Sequence, residues 1–91
     1  MKKNRIFVAG KVQGVCFRNW TMKQATELQL NGWVRNLKDG RVEIFVSGLP
    51  REIDLLLERL WFGPTGADVS NVSASRVIGT IKKGFYIAPT V

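Results

Sequence analysis

The chain has 91 residues, enough for one hydrophobic core and no more. Hydrophobic residues are 45% of the total, which excludes a disordered tail. The net charge of +7 favours anionic partners, while a lone cysteine (Cys16) and no histidine exclude a disulfide framework and a Cys/His zinc cluster.

The charge alone does not choose among nucleic acid, acidic membrane and a phosphorylated small molecule, because the basic residues are scattered rather than gathered into one run. The apolar stretch Ile6-Phe7-Val8-Ala9 is too short for a signal peptide, and no run is long enough to span a membrane. The expectation is a soluble cytoplasmic monomer with no membrane partner.

A β-branched and aromatic strand is predicted around Arg5 to Gly10, followed by a loop broken by Gly10 and Gly14. A helix is predicted from about Asn19 to Leu30, with Met22, Ala25 and Leu28 facing inward, and Asn31-Gly32 stops it. Trp33 to Leu37 and Arg41 to Ser47 read as a hairpin around Lys38-Asp39-Gly40, in which Asp39 and Gly40 both tolerate positive φ. Val42, Ile44 and Val46 alternate with Glu43 and Phe45, so one face of that strand is core.

Pro50 opens a second helix, whose apolar stripe is Ile53, Leu56, Leu57, Leu60 and Trp61, and Gly63-Pro64 ends it. Val69 to Val77 is predicted as a strand and Phe85 to Ala88 as a short last one. The order β-α-β-β-α-β plus a terminal strand is an α+β, ferredoxin-like split βαβ plan spanning residues 1–91, with two helices on one face of an antiparallel sheet. Many functions use this plan, so function has to come from sites.

Gln13-Gly14-Val15-Cys16-Phe17-Arg18 is the segment where the chemistry concentrates. A glycine-bearing loop before a helix exposes backbone N–H groups at the positive helix end, a combination that binds phosphate. Gly14 lets the backbone approach an anion, and the planar guanidinium of Arg18 fits two phosphate oxygens at once. Neither Gly-x-x-x-x-Gly-Lys-Ser/Thr nor Gly-x-Gly-x-x-Gly is present. Spacing alone therefore leaves a plain structural turn, with Arg18 paired to a surface acid, as the alternative.

Gly10 to Arg18 resembles the first motif of the acylphosphatase family, and Trp33-Val34-Arg35-Asn36-Leu37-Lys38-Asp39-Gly40-Arg41-Val42-Glu43 resembles its second. The resemblance runs from about Ile6 to the end and includes Gly63-Pro64 and Phe85. It implies hydrolysis of small acyl phosphates to carboxylate and phosphate, without cofactor, metal or nucleic acid. It assigns phosphate binding to Arg18 and to the amides of Gln13, Gly14, Val15, Cys16, Phe17 and Arg18. It assigns orientation of the attacking water to Asn36. Two departures stand out: Gln29 sits where relatives often carry glycine, and Trp20 is bulky enough to narrow the site mouth.

The chemistry needs little more than these residues. A departing carboxylate has a conjugate-acid pKa of about 4 and leaves without a general acid. Charge stabilisation and water placement remain, and an amide such as Asn36 orients a water but takes no proton from it. A site that reads only phosphoryl and acyl groups is expected to have broad specificity.

Simpler readings stand beside several of these residues. Cys16 is read as a packing residue rather than a nucleophile, and Trp33 and Trp61 as core. Arg35 is read as a solvated strand residue, with the site rim as its other option, and Lys11 has two open readings, steering of anions and plain solvation. One rival function is an RNA-binding domain of the same plan, against which the central strand offers a single aromatic, Phe45. The other is a non-catalytic regulatory module of the kind fused in hydrogenase-maturation proteins.

Overall fold

The structure, a computed structural model, describes residues 1–91. In the first strand, β1 (Lys2–Lys11), Ile6 and Val8 are buried while Arg5 and Phe7 point to the opposite face, the two-residue period of a strand. Next come α1 (Phe17–Glu27), β2 (Asn31–Asn36), β3 (Val42–Gly48), α2 (Pro50–Phe62), β4 (Asp68–Arg76) and β5 (Phe85–Ile87). The strands form one sheet in the order β4-β1-β3-β2-β5. All pairings are antiparallel except β2 with β5, which is parallel.

One cluster joins Ile6, Val8, Val34, Ile44 and Val46 of the sheet to Phe17 and Ala25 of α1 and to Ile53, Leu56 and Leu60 of α2. The expected α+β split βαβ plan with its extra terminal strand is therefore the observed one.

The elements differ in detail from the sequence expectation. β1 begins at Lys2 because its pairing with β3 runs out to Gly48. α1 starts two residues earlier than expected and ends three earlier, so Phe17, Thr21 and Ala25 set its buried face and Met22 is only half-buried.

Its end is a Schellman motif, in which the Leu30 N–H donates to the Ala25 carbonyl (2.9 Å) and the Gln29 N–H to the Thr26 carbonyl (3.0 Å). Gln29 takes the left-handed position with φ 59°, which accounts for glycine being the commoner choice there. In the hairpin only Gly40 has positive φ. Asp39 instead accepts a hydrogen bond from the Arg41 N–H (3.0 Å).

The face away from the helices is not bare. β3 is buried along its whole length, because Glu43 and Phe45 are shielded by their neighbours as fully as Val42 and Ile44 are by the helices. Tyr86, Trp33, Phe45 and Arg5 stand in one cross-strand row. Trp33 stacks on Phe45 at 5.6 Å, Arg35 lies over Trp33 at 4.6 Å, and Arg41 lies over Phe7 at 4.6 Å. Glu43 is 4% exposed and pairs with Arg35 (2.7 Å) and Arg5 (3.2 Å).

Trp33 is therefore part of this outer layer, not of the core. Arg35 is neither solvated freely nor at the site, since an aromatic ring and a buried carboxylate hold it. Trp61 is also not core: it is 49% exposed, because eight residues carry it about 80° round the helix from Ile53, to the rim of the stripe.

Candidate active site

The loop between β1 and α1 is held at both ends by buried side chains, Val12 and Phe17. Between them Gly14 (φ 74°) and Cys16 (φ 59°) are both left-handed, a curl of the kind found in anion-binding nests of backbone N–H groups. Cys16 is the N-cap of α1, and its carbonyl accepts the Trp20 N–H at 3.0 Å. The amides ahead of Trp20 in this first turn have no helical acceptor. No side chain caps them and no acid sits in the turn, so no side chain offsets the positive end of the helix dipole.

Arg18 lies in this same turn, half-buried, and pairs with no acid. The alternative of an arginine tied to a surface carboxylate is thereby removed.

Asn36 ends β2, and its carbonyl accepts the Val91 N–H at 3.3 Å. Its side-chain Oδ1 is buried and accepts no hydrogen bond from the protein. Buried polar atoms are nearly always satisfied, so an unpartnered one at a cavity wall points to a ligand or water as its partner.

The loop and Asn36 meet through Gln13. Its side-chain Nε2 donates to the carbonyls of Leu37 (2.8 Å) and Arg41 (3.0 Å), the two ends of the hairpin turn that follows Asn36. The side chain of Gln13 is thus committed to the hairpin.

A cavity of about 360 Å³ opens between these elements. Gln13, Gly14, Cys16, Phe17, Arg18 and Asn36 line it, as do Val12, Asn19 and Ile87. Val15, grouped with the phosphate loop from the sequence, does not line this cavity and faces the neighbouring groove. Asn19 was read from the sequence only as the start of the first helix, not as a site residue. Ile87 is brought in by the parallel pairing of β5 with β2, for which the sequence carries no local signal.

Cys16 is exposed rather than packed, because the capping position turns it out of the core. No group of three or more His, Cys, Asp or Glu residues is placed to hold a metal ion. At the hairpin the Asp39 carboxyl is held below its ordinary 3.8 by the side-chain hydrogen bond from Arg41 and then by the Arg41 N–H. No helix is long and apolar enough to cross a membrane.

An α+β sheet protein whose first helix sets an uncapped N-terminus and an arginine without an acidic partner beside a small polar cavity has the features of the anion-binding class. Comparison with known proteins makes the class specific. The acylphosphatase family model matches residues 4–87. An acylphosphatase of Sinorhizobium medicae is 44% identical over 82 residues, covering 88% of this chain and 86% of the relative.

Among solved structures, an acylphosphatase from Coxiella burnetii superposes with a TM-score of 0.92 at 42% identity, covering 96% of this chain and 92% of that one. An acylphosphatase from Bacillus subtilis superposes at 0.91 with 34% identity, covering 97% and 99%. The chain belongs to the acylphosphatase family and is a hydrolase acting on acyl phosphates.

Proposed function

We propose that the cavity hydrolyses small acyl phosphates by direct attack of water on phosphorus, with the amides of Gln13 to Arg18 and the Arg18 guanidinium holding the phosphoryl group and Asn36 orienting the water. Charge on the transferring group is met by Arg18 and the helix N-terminus, which supply electrostatic stabilisation without reorganisation. The carboxylate leaves unprotonated, so no general acid is needed. Asn36 has both donors and an acceptor and fixes the water without accepting its proton, which passes to a phosphoryl oxygen of the substrate. The scheme uses no cofactor, no metal and no covalent enzyme intermediate.

The observation that carries this reading is the convergence of Arg18 and Asn36 on one cavity, with the Asn36 Oδ1 buried and unpartnered. Continuous assay of an aromatic acyl phosphate, with parent and Asn36→Ala side by side, tests it.

RNA binding on the open sheet face is the weaker proposal, although the face carries more aromatics than the central strand suggested. Three arginines already stack on Trp33, Phe45 and Phe7, leaving no run of open ring faces for bases. We further propose a cytoplasmic monomer acting on small molecules rather than on nucleic acid or membrane.

A further inference from the structure

Two sequence features are not used by the reaction as described, Trp20 and the Gly63-Pro64 turn, and the structure places them together. Cys16 and Asn19 line the catalytic cavity and also line a second groove of about 580 Å³ beside it. The other walls of the groove are Val15, Trp20 and Lys23 on the phosphate-loop side and the turn Gly63 to Thr65 on the other.

We propose that this groove is the acyl subsite of the enzyme, selecting acyl phosphates whose acyl group is flat and apolar next to the carbonyl and carries a second anion at its far end. The proposal rests on the acyl phosphate reading above.

An acyl group is bonded to the phosphoryl group and has to leave the cavity across its rim, and Cys16 and Asn19 are rim to both spaces. Trp20 is held in place there, because its ring packs on Phe17 at 5.5 Å and 55°, and Phe17 is itself buried in the core. A fixed, half-buried indole is a flat apolar wall that loses little conformational entropy on binding.

The opposite wall is set by Gly63, which closes α2 with φ 68°. A Cβ at Gly63 would come within 3.1 Å of the Ala67 Cβ and 3.2 Å of Phe17 Cε2, so glycine lets the turn close directly onto the ring that supports Trp20.

Lys23 stands one helical turn beyond Asn19, about 5–6 Å along the axis, and makes no ion pair. No acid lines the groove, so its charge is free to meet an anion there. Contacts of this kind are made equally in the ground and transition states, so they act on KM more than on kcat.

The experiment compares kcat and KM for acetyl phosphate, benzoyl phosphate and 4-carboxybenzoyl phosphate in the parent, Trp20→Ala and Lys23→Gln. Ratios between substrates, taken variant against parent, cancel intrinsic differences in leaving ability. Trp20→Ala is expected to lower the benzoyl-to-acetyl preference about 3- to 10-fold, chiefly through KM. Lys23→Gln is expected to lower the 4-carboxybenzoyl-to-benzoyl preference about 2- to 5-fold, with the difference fading at high salt. Unchanged ratios, or an equal loss on all three substrates, would overturn the proposal. If Trp20→Ala does not fold, Trp20→Leu keeps an apolar side chain on Phe17 and answers the same question.

A binding arm separates failure of the groove from failure of the hydrolase reading. Calorimetry with benzoylphosphonate and inorganic phosphate needs no turnover. Tighter binding of the phosphonate by about 3- to 10-fold, lost in the Trp20 variant, supports the groove. Equal affinity of the parent for both overturns it. A parent that binds phosphonate but does not hydrolyse acetyl phosphate contradicts the hydrolase reading instead.

Discussion

The side-chain amide of Gln13 lies 2.8 Å from the carbonyl oxygen of Leu37, the residue after Asn36, and so joins the loop between β1 and α1 to the end of β2. The two halves of the site come from different hairpin and loop segments, and this contact, with its companion to Arg41 (3.0 Å), sets their spacing. Gln13→Ala removes two side-chain hydrogen bonds but leaves each carbonyl its backbone donor, Gly40 N–H on Leu37 (3.1 Å) and Leu37 N–H on Arg41 (2.8 Å), so the stability cost is about 1 kcal/mol. A misplacement of the order of 1 Å costs up to about 100-fold in rate, so kcat should fall roughly 10- to 100-fold. Gln13→Glu keeps the size but not the donor. It should fail as badly as Gln13→Ala, whereas normal turnover in Gln13→Glu would show that the contact does not position the site.

Arg18 carries the larger share of phosphoryl recognition in this account. Arg18→Ala should lose more than about 1,000-fold in kcat/KM while the circular dichroism spectrum stays native, since no ion pair is lost with it. Arg18→Lys should recover only part, because an ammonium cannot make the two parallel hydrogen bonds of a guanidinium. Full activity in either variant would remove Arg18 from the mechanism.

Cys16 is exposed at the cavity, so its chemical role is open to a direct test. Without a covalent intermediate, Cys16→Ala should turn over within a few-fold of the parent. A thiol-blocking reagent should inhibit the parent by bulk alone and leave Cys16→Ala untouched. Loss of activity in Cys16→Ala would instead support a phosphorylated cysteine.

Gln29 pays a steric penalty in its left-handed position at the end of α1. Gln29→Gly relieves a cost of about 1 kcal/mol, which in a domain of this size raises Tm by roughly 4–8 °C. Gln29 lies far along α1 from the cavity, so the gain should come with unaltered turnover. A fall in Tm would contradict the Schellman assignment.

The pH response follows from Asp39 and Arg41. The folded state lowers the Asp39 pKa, so its hydrogen bonds with Arg41 contribute stability above the unfolded value, and this is lost as pH falls through the lower folded value. An NMR titration should place Asp39 below 3.8 in the parent and move it up toward that value in Arg41→Ala. Arg18 and Asn36 supply no titrating base, so kcat should show no enzyme ionisation between about pH 6 and 7.5. A steep fall just below neutrality would point to a base outside the scheme.

The order of elements, and the residues that meet at the cavity, were legible because they depend on local signals. Helix-period apolar residues mark α2, Asp39-Gly40 marks the hairpin, and the two motifs carry Arg18 and Asn36. What was not legible depends on contacts between distant segments. Phe17 sets the phase of α1 through its place in the core, which left Met22 half-buried. β5 pairs parallel to β2 and thereby brings Ile87 to the cavity. Glu43 alternates as an outward residue, yet Arg5 and Arg35 close over it and make the outer face of β3 as buried as the inner one. No periodicity in one strand records a partner on another.

The most direct test of the mechanism is hydrolysis of benzoyl phosphate, followed by absorbance with excess chelator, by the parent and by Asn36→Ala. Removal of one preorganised group of this kind costs about 100- to 1,000-fold in rate, and truncating the half-buried Asn36 leaves a small gap that the fold tolerates. The account predicts rapid, chelator-insensitive turnover by the parent and a loss of that size or more in a folded Asn36→Ala. Near-parental turnover in the variant, or a parent silenced by the chelator, would contradict it.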